Sequence, residues 1–201
     1  MSAARIHPGA VIHVWDHLVI TLRDGDRETV FLSWYSIRWS RSLGAGNVAL
    51  LEVPGGRAGR DIAVTFADVD GLGDRMQARL RAMGLDRPAT ASPPVRATFD
   101  RSPFQDGAFG VRIGAPRMTV EAHWREVGEP FWMDGQGGGF SPTEDIWAVF
   151  VEAPRASVSL DADPVPGTPF DDDVWVPKLG RSLSSAHGAF SEVRVAPVAS
   201  G

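Results

Sequence analysis

Along most of the chain, apolar residues return at every second position, which is the period of a strand with one buried face. Residues 11–23, "VIHVWDHLVITLR", split into two alternating sets. One set is Ile12, Val14, Asp16, Leu18, Ile20 and Leu22, apolar except for Asp16. The other is Val11, His13, Trp15, His17, Val19, Thr21 and Arg23. "LVITLRDGDRETVFLSW" reads as two strands turning around Asp24-Gly25, a strong hairpin signal. "NVALLEV" (47–53) and "DIAVTFA" (61–67) are apolar on both faces, which predicts strands deep in a sheet, joined by the turn chemistry of "PGGRAGR". Further strands are predicted at 95–99, 108–113, 118–127, 145–153, 156–160 and 189–195.

One segment has a different period. In "DVDGLGDRMQARLRAMGL", Leu72, Met76, Leu80 and Met83 form a single helical stripe. Asp70 is positioned to cap its start, Arg79 and Arg81 suit its C-terminal end, and Gly84 suits the stop. The prediction is one amphipathic α-helix at about 71–84, packed on the sheet, followed by a Pro/Ala/Ser connector at 86–94. The expected fold is mainly β: an antiparallel β-barrel of calycin-like type, by fold-level analogy, or a two-sheet sandwich. The chain is expected to form a single β-rich domain over 1–201. The alternative division is two β halves, about 10–67 and 95–196, joined by the helix and the connector.

Composition narrows the chemistry. The chain is 43% hydrophobic and 22% charged, near globular averages, so wholesale disorder is not expected. A net charge of −5 leaves no electrostatic footprint for nucleic acid. Lys178 is the single lysine against many arginines, a bias that suits GC-rich bacterial coding. The lack of cysteine excludes disulfides, Cys-ligated zinc, iron–sulfur clusters and thiol nucleophiles. No apolar run approaches the ~20 residues of a membrane helix, and "MSAARIHPGA" has no secretory pattern, so a cytoplasmic location is expected.

"HVWDH" (13–17) places two histidines and an aspartate around a tryptophan. On a strand, His13 and His17 share a face but stand about 13 Å apart. A zinc ion holds each ligand at about 2 Å, so they cannot share one. The segment also lacks the Glu of "HExxH" and the His-x-His of a cupin. No metal and no cofactor is expected. Asp16, alone on an apolar face, must be paired or it will take up a proton. A strand-end aspartate near a turn, or one paired with an arginine, is the favoured reading; a carboxylate of raised pKa in a pocket is the sharper one.

"MTVEAHWREV" puts Glu121, His123 and Arg125 on one strand face and Val120, Ala122 and Trp124 on the other. The polar row is either a solvated sheet face or part of an acid–base site. "PFWMDGQGGGFSPTEDIW" (130–147) reads as a mobile glycine-rich loop flanked by Phe131, Trp132, Phe140 and Trp147, suited to a lid but lacking the Gly-Lys-Ser/Thr of a nucleotide loop. "FDDDVW" (170–175) fails the EF-hand spacing, and "GRSLSSAHGAF" has no nucleophile elbow.

Seven tryptophans suggest a flat apolar pocket. The leading expectation is therefore a small-molecule-binding β-barrel whose Trp-lined pocket holds an apolar or aromatic ligand, with Trp39, Trp124, Trp132, His13 and Arg38 as contacts. The second is a cofactor-free hydratase, isomerase, cyclase or lyase using Asp16, Glu121 and His123. The third is a non-catalytic interaction or oligomerisation module, such as a homo-oligomer, which predicts a large apolar surface patch and no enclosed cavity. None of these involves nucleic acid or a membrane.

Overall fold

The hairpin at Asp24-Gly25 organises the largest sheet. In the computed structural model, which describes residues 10–56, 59–135 and 144–195, β1 (Val11–Asp24) and β2 (Arg27–Ser40) pair antiparallel across a two-residue turn. Gly25 takes φ +61° at the first turn position, where a side chain would be strained. β3 (Gly46–Val53) and β4 (Ile62–Ala67) extend the sheet by antiparallel pairing. Then come the helix α1 (Leu72–Ala82), the short α2 (Pro88–Ala91) and β5 (Val95–Arg96), which pairs parallel with β4. A parallel return needs a crossover, and the two helices supply it.

The second half of the chain adds β6 (Thr98–Arg101), β7 (Phe109–Ala115), β8 (Met118–Arg125), β9 (Phe131–Gly135), β10 (Glu144–Glu152), β11 (Arg155–Leu160) and β12 (Asp163–Pro164). It ends with β13 (Asp171–Asp172), α3 (Val176–Leu179), β14 (Leu183–Ser184) and β15 (Ala186–Val195). The eight-stranded sheet runs β5-β4-β3-β2-β1-β15-β10-β9, and the five-stranded sheet runs β12-β11-β8-β7-β6.

These sheets pack as a sandwich. Leu18, Ile20, Leu32, Trp34, Leu51 and Phe66 of the large sheet meet Phe109, Val111, Ile113, Val120, Trp124 and Val158 of the small one. The barrel expectation is overturned: among the described residues no pairing joins the end strands β5 and β9, or β12 and β6. The reason lies in strands that are apolar on both faces. The far face of β1, β2 and β3 needs its own cover, and α1 supplies it, setting Leu72, Met76 and Leu80 against Trp15, Tyr35, Val48 and Leu50. A third cluster, Met133, Ala148, Phe150 and Ala189, packs with Leu183, Trp175 and Leu179 on that same far face.

The predicted helix is present, with one correction at its start. Asp70 does not cap it; the N-cap is Gly71 at φ +70°, and Asp70 instead pairs with Arg96 at 2.8 Å. The stop is as expected: Gly84 sits at φ +79°, its N–H bonds the Arg81 carbonyl, and the Leu85 N–H bonds the Leu80 carbonyl. Those two bonds satisfy the last turn in a Schellman motif. The glycine-rich "loop" begins as a strand, since Phe131–Gly135 is β9. Its glycine run and Phe140 lie outside the described residues.

Candidate functional site

The small sheet covers only part of the large one. On the face turned toward the sandwich core, Cα pairing lines up Asp16 of β1, Phe190 of β15, Val149 of β10 and Trp132 of β9. A second row beside it holds Trp39, Val14, Glu192 and Trp147. Paired residues point to the same side of a sheet, so both rows share one surface. None of Val14, Phe190, Trp147, Val149 and Trp132 belongs to a buried cluster. Trp132 is 65% exposed and Trp39 47% exposed, while Phe190, Val149 and Trp147 are half-buried. The Trp132 and Trp147 rings lie 4.7 Å apart at 46°. Strands are spaced by about 4.8 Å, so the row from Asp16 to Trp132 spans about 14 Å.

Its inner end is charged. Arg38 and Arg101 each donate to the same Asp16 oxygen, at 3.0 Å. The pairing of Val14 with Trp39 and of Trp15 with Ile37 leaves Arg38 as the extra residue of a β-bulge, a device that re-aims a side chain. Arg101 reaches over from β6 and lies above the Trp34 and Phe109 rings, 5.8 Å from each centroid. Two guanidiniums thus share one carboxylate. The Arg38 side chain is 62% exposed, so its remaining donors meet solvent. The nearby Glu192 is paired with Arg194 at 2.6 Å.

The other sequence candidates lie elsewhere. His13 is on the opposite face of β1, 2% exposed. Its Nδ1 meets the Ser40 hydroxyl at 2.7 Å, and its ring stacks on Trp15 at 4.8 Å. Its Nε2 is 4.0 Å from Glu144, a carboxylate gripped twice by Arg79. Trp124 is fully buried, donates its N–H to the Val19 carbonyl at 2.9 Å and stacks on Phe109. Glu121 and His123 sit on the outer face of the small sheet. Glu121 is 3.7 Å from Arg112, and His123 edges a shallow cleft of about 400 Å³ with Ser102, Gln105, Asp106 and Arg125. The structure therefore brings Asp16, Arg38, Trp39 and Trp132 onto one surface. It leaves His13, Trp124 and the Glu121–His123 pair in three other places. Among the described residues, no group of three or more His, Asp or Glu side chains is set to hold a metal ion, and no described helix is long and apolar enough to cross a membrane.

No protein-family model and no curated protein matches the chain. The fold overlaps a crystal structure of acetoacetate decarboxylase from Legionella pneumophila subsp. pneumophila str. Philadelphia 1. The overlap has a TM-score of 0.42 at 12% identity, over 98% of this chain and 90% of that one. Nothing about activity follows from a likeness of that size.

Sequence reasoning passed over two Ser–His contacts on the far face of β1. Besides His13 and Ser40, His17 Nε2 meets the Ser33 hydroxyl at 2.8 Å while its ring stacks on Tyr35 at 4.0 Å. Burial, aided by nearby His187, lowers His17 to a pKa of about 3. Burial and the Arg79 charge lower His13 to about 4, against the opposing pull of Glu144. Burial also lowers His187, whose Nδ1 lies 2.8 Å from the Ser184 carbonyl. Bases this weak are poorly matched to removing a hydroxyl proton at neutral pH. The Ser40 oxygen also accepts the Leu43 N–H at 2.9 Å, which fits a turn-fixing role. The signal for this group was the alternation of His13, Trp15 and His17. Its partners come from β2, α1, β10 and β15, and no local pattern announces them.

Proposed function

We propose that the protein binds a small amphipathic anion on the open surface between β1 and β9. The apolar body of the ligand lies along Phe190, Val149, Trp147 and Trp132, and its acidic head meets Arg38 and Arg101. One observation carries this reading: a continuous row that runs from a carboxylate shared by two guanidiniums to the exposed Trp132 indole, which lies against the half-buried Trp147. Aromatic faces favour flat or aliphatic carbon. An arginine pair with one counter-charge favours a carboxylate or sulfonate head. A span of about 14 Å suits a fused-ring system or a medium acyl chain. The His–carboxylate enzyme reading has less support, because Asp16 lies on the opposite face of β1 from the neutral histidines and faces two arginines in place of an imidazole.

The test is titration with 8-anilinonaphthalene-1-sulfonate and, separately, with decanoate by calorimetry. Near-UV circular dichroism confirms native packing, since the dye also lights up loosened states. Trp132→Ala is expected to weaken binding about tenfold, a loss of about 1.4 kcal/mol, and Arg38→Gln to weaken both anions by a similar factor. Binding that ignores both substitutions, or no binding to native protein, overturns the proposal.

A further inference from the structure

The cleft beside His123 lies on the outer face of the small sheet, away from the row that ends in Trp132. One wall starts where β6 leaves the ladder. Ser102 donates its N–H to the Gly110 carbonyl at 3.0 Å, but the Gly110 N–H goes to the Ser102 hydroxyl at 2.7 Å. Residues in such a pair ordinarily exchange two backbone bonds, so the chain turns off the sheet at this point. It closes in a two-residue turn. Gln105 and Ala108 exchange both backbone bonds, at 2.9 and 3.0 Å, with Asp106 at φ +52° and Gly107 at φ +70°. Two positive φ values mark a type I′ turn. The Val127 N–H holds the Gly107 carbonyl at 2.9 Å, which ties this wall to the chain just after β8. Gly110 keeps the floor bare, and the His123 ring rests directly against it.

The charges in this cleft are unspent. Arg125 stands directly across from Arg155 in the register of β8 and β11, and like charges so placed repel. Arg155 has Glu126 at 3.1 Å. Among the described residues, Arg125 has no ion pair or hydrogen bond through its side chain, and neither does Asp106. A cation and a carboxylate thus line one cleft without reaching each other. A simple anion or cation would answer only one of them. We propose that the cleft binds a free α-amino acid with an apolar side chain. Its carboxylate meets the Arg125 fork, its ammonium donates to Asp106, and its side chain lies against Pro103 and Ala108. The wall is fixed before any ligand arrives, which lowers the cost of binding. The cleft is open and shallow, so a Kd of about 1 mM is expected. This inference is independent of the anion reading, which uses the other sheet.

The test is titration of the full chain with L-leucine into the millimolar range, read by amide shifts in two-dimensional NMR. Saturable shifts are expected at 102–110 and 122–126. N-acetyl-L-leucine lacks the ammonium and L-leucinamide lacks the carboxylate, and each is expected to bind at those amides about tenfold more weakly. Arg125→Gln and Asp106→Asn are each expected to weaken leucine binding by about the same factor. Asparagine accepts the left-handed backbone of position 106, so the turn survives that change. No saturable shift at these amides, shifts centred elsewhere, or a leucine affinity indifferent to the loss of either charge overturns the inference. Arg38→Gln is expected to leave leucine binding unchanged while weakening anion binding, so each proposal can fail without the other.

Discussion

Trp124 and Trp132 share a side chain and have opposite roles. Trp124 stacks on Phe109 with no solvent exposure, and its N–H is spent on the Val19 carbonyl. Trp124→Ala is expected to cost about 3–5 kcal/mol of stability, as large aromatic truncations in cores do. Trp132→Ala is expected to stay within about 0.5 kcal/mol of wild type. Urea denaturation of the two variants measures both, and a reversed order would mean that β9 is packed quite differently. Asp16→Asn leaves Arg38 and Arg101 facing each other without a counter-charge, and is expected to cost about 1–3 kcal/mol. That Asp16 needs a partner was legible in its isolation on an apolar strand face, with an arginine among the readings it allowed. The identity of the partners was not: Arg38 is aimed by a bulge and Arg101 arrives from another sheet.

Elements divide in the same way. The helix was legible because its period and its glycine stop are local, and Gly84→Ala tests that stop. At φ +79° an alanine is expected to cost about 1–2 kcal/mol, seen as a lowered urea midpoint. The hairpin was legible for the same reason. The alternation of β8 was also read correctly, down to Glu121 and His123 facing outward from Trp124. A tighter constraint, on the neighbouring strand β7, was invisible. A Cβ on Gly110 would stand 2.7 Å from the His123 ring and 2.9 Å from the Ala122 carbonyl. Gly110→Ala is therefore expected to cost about 1–3 kcal/mol through overpacking, and His123→Ala to relieve only part of it, because the carbonyl cannot retreat. The row from Asp16 to Trp132 was not legible at all. Its members come from β1, β15, β10 and β9, and only the pairing order of the sheet places them side by side.

At the scale of the whole molecule, three histidines, His13 and His187 buried and His17 half-buried, set the response to acid. His17 is lowered to about 3 and His13 to about 4, and His187 is lowered as well. In the unfolded chain each titrates near 6.5. Below that pH the unfolded state takes up protons that the folded state refuses, so stability falls as the solution is acidified from about 6.5 toward the folded values, and is level above about 7.5. The slope is expected to reach about 1.4 kcal/mol per pH unit for each histidine. Urea midpoints at pH 7.5, 6 and 5 measure it; a flat profile would show that these rings titrate as they do in water.

The place of β15 beside β1 has a consequence for how the chain is made. Val19 pairs with His187, so the first strand waits for the last before its second neighbour exists. On the ribosome, β1 through β5 can assemble early, but with a long bare edge in what becomes the middle of the sheet. Closing contacts this distant in sequence is slow, and an exposed strand edge during that delay invites aggregation. A nascent chain released before Ala186 is therefore expected to precipitate or to be held by a chaperone, not to survive as a smaller folded protein. A soluble, cooperatively unfolding fragment of that length would show that the large sheet does not depend on its final strand.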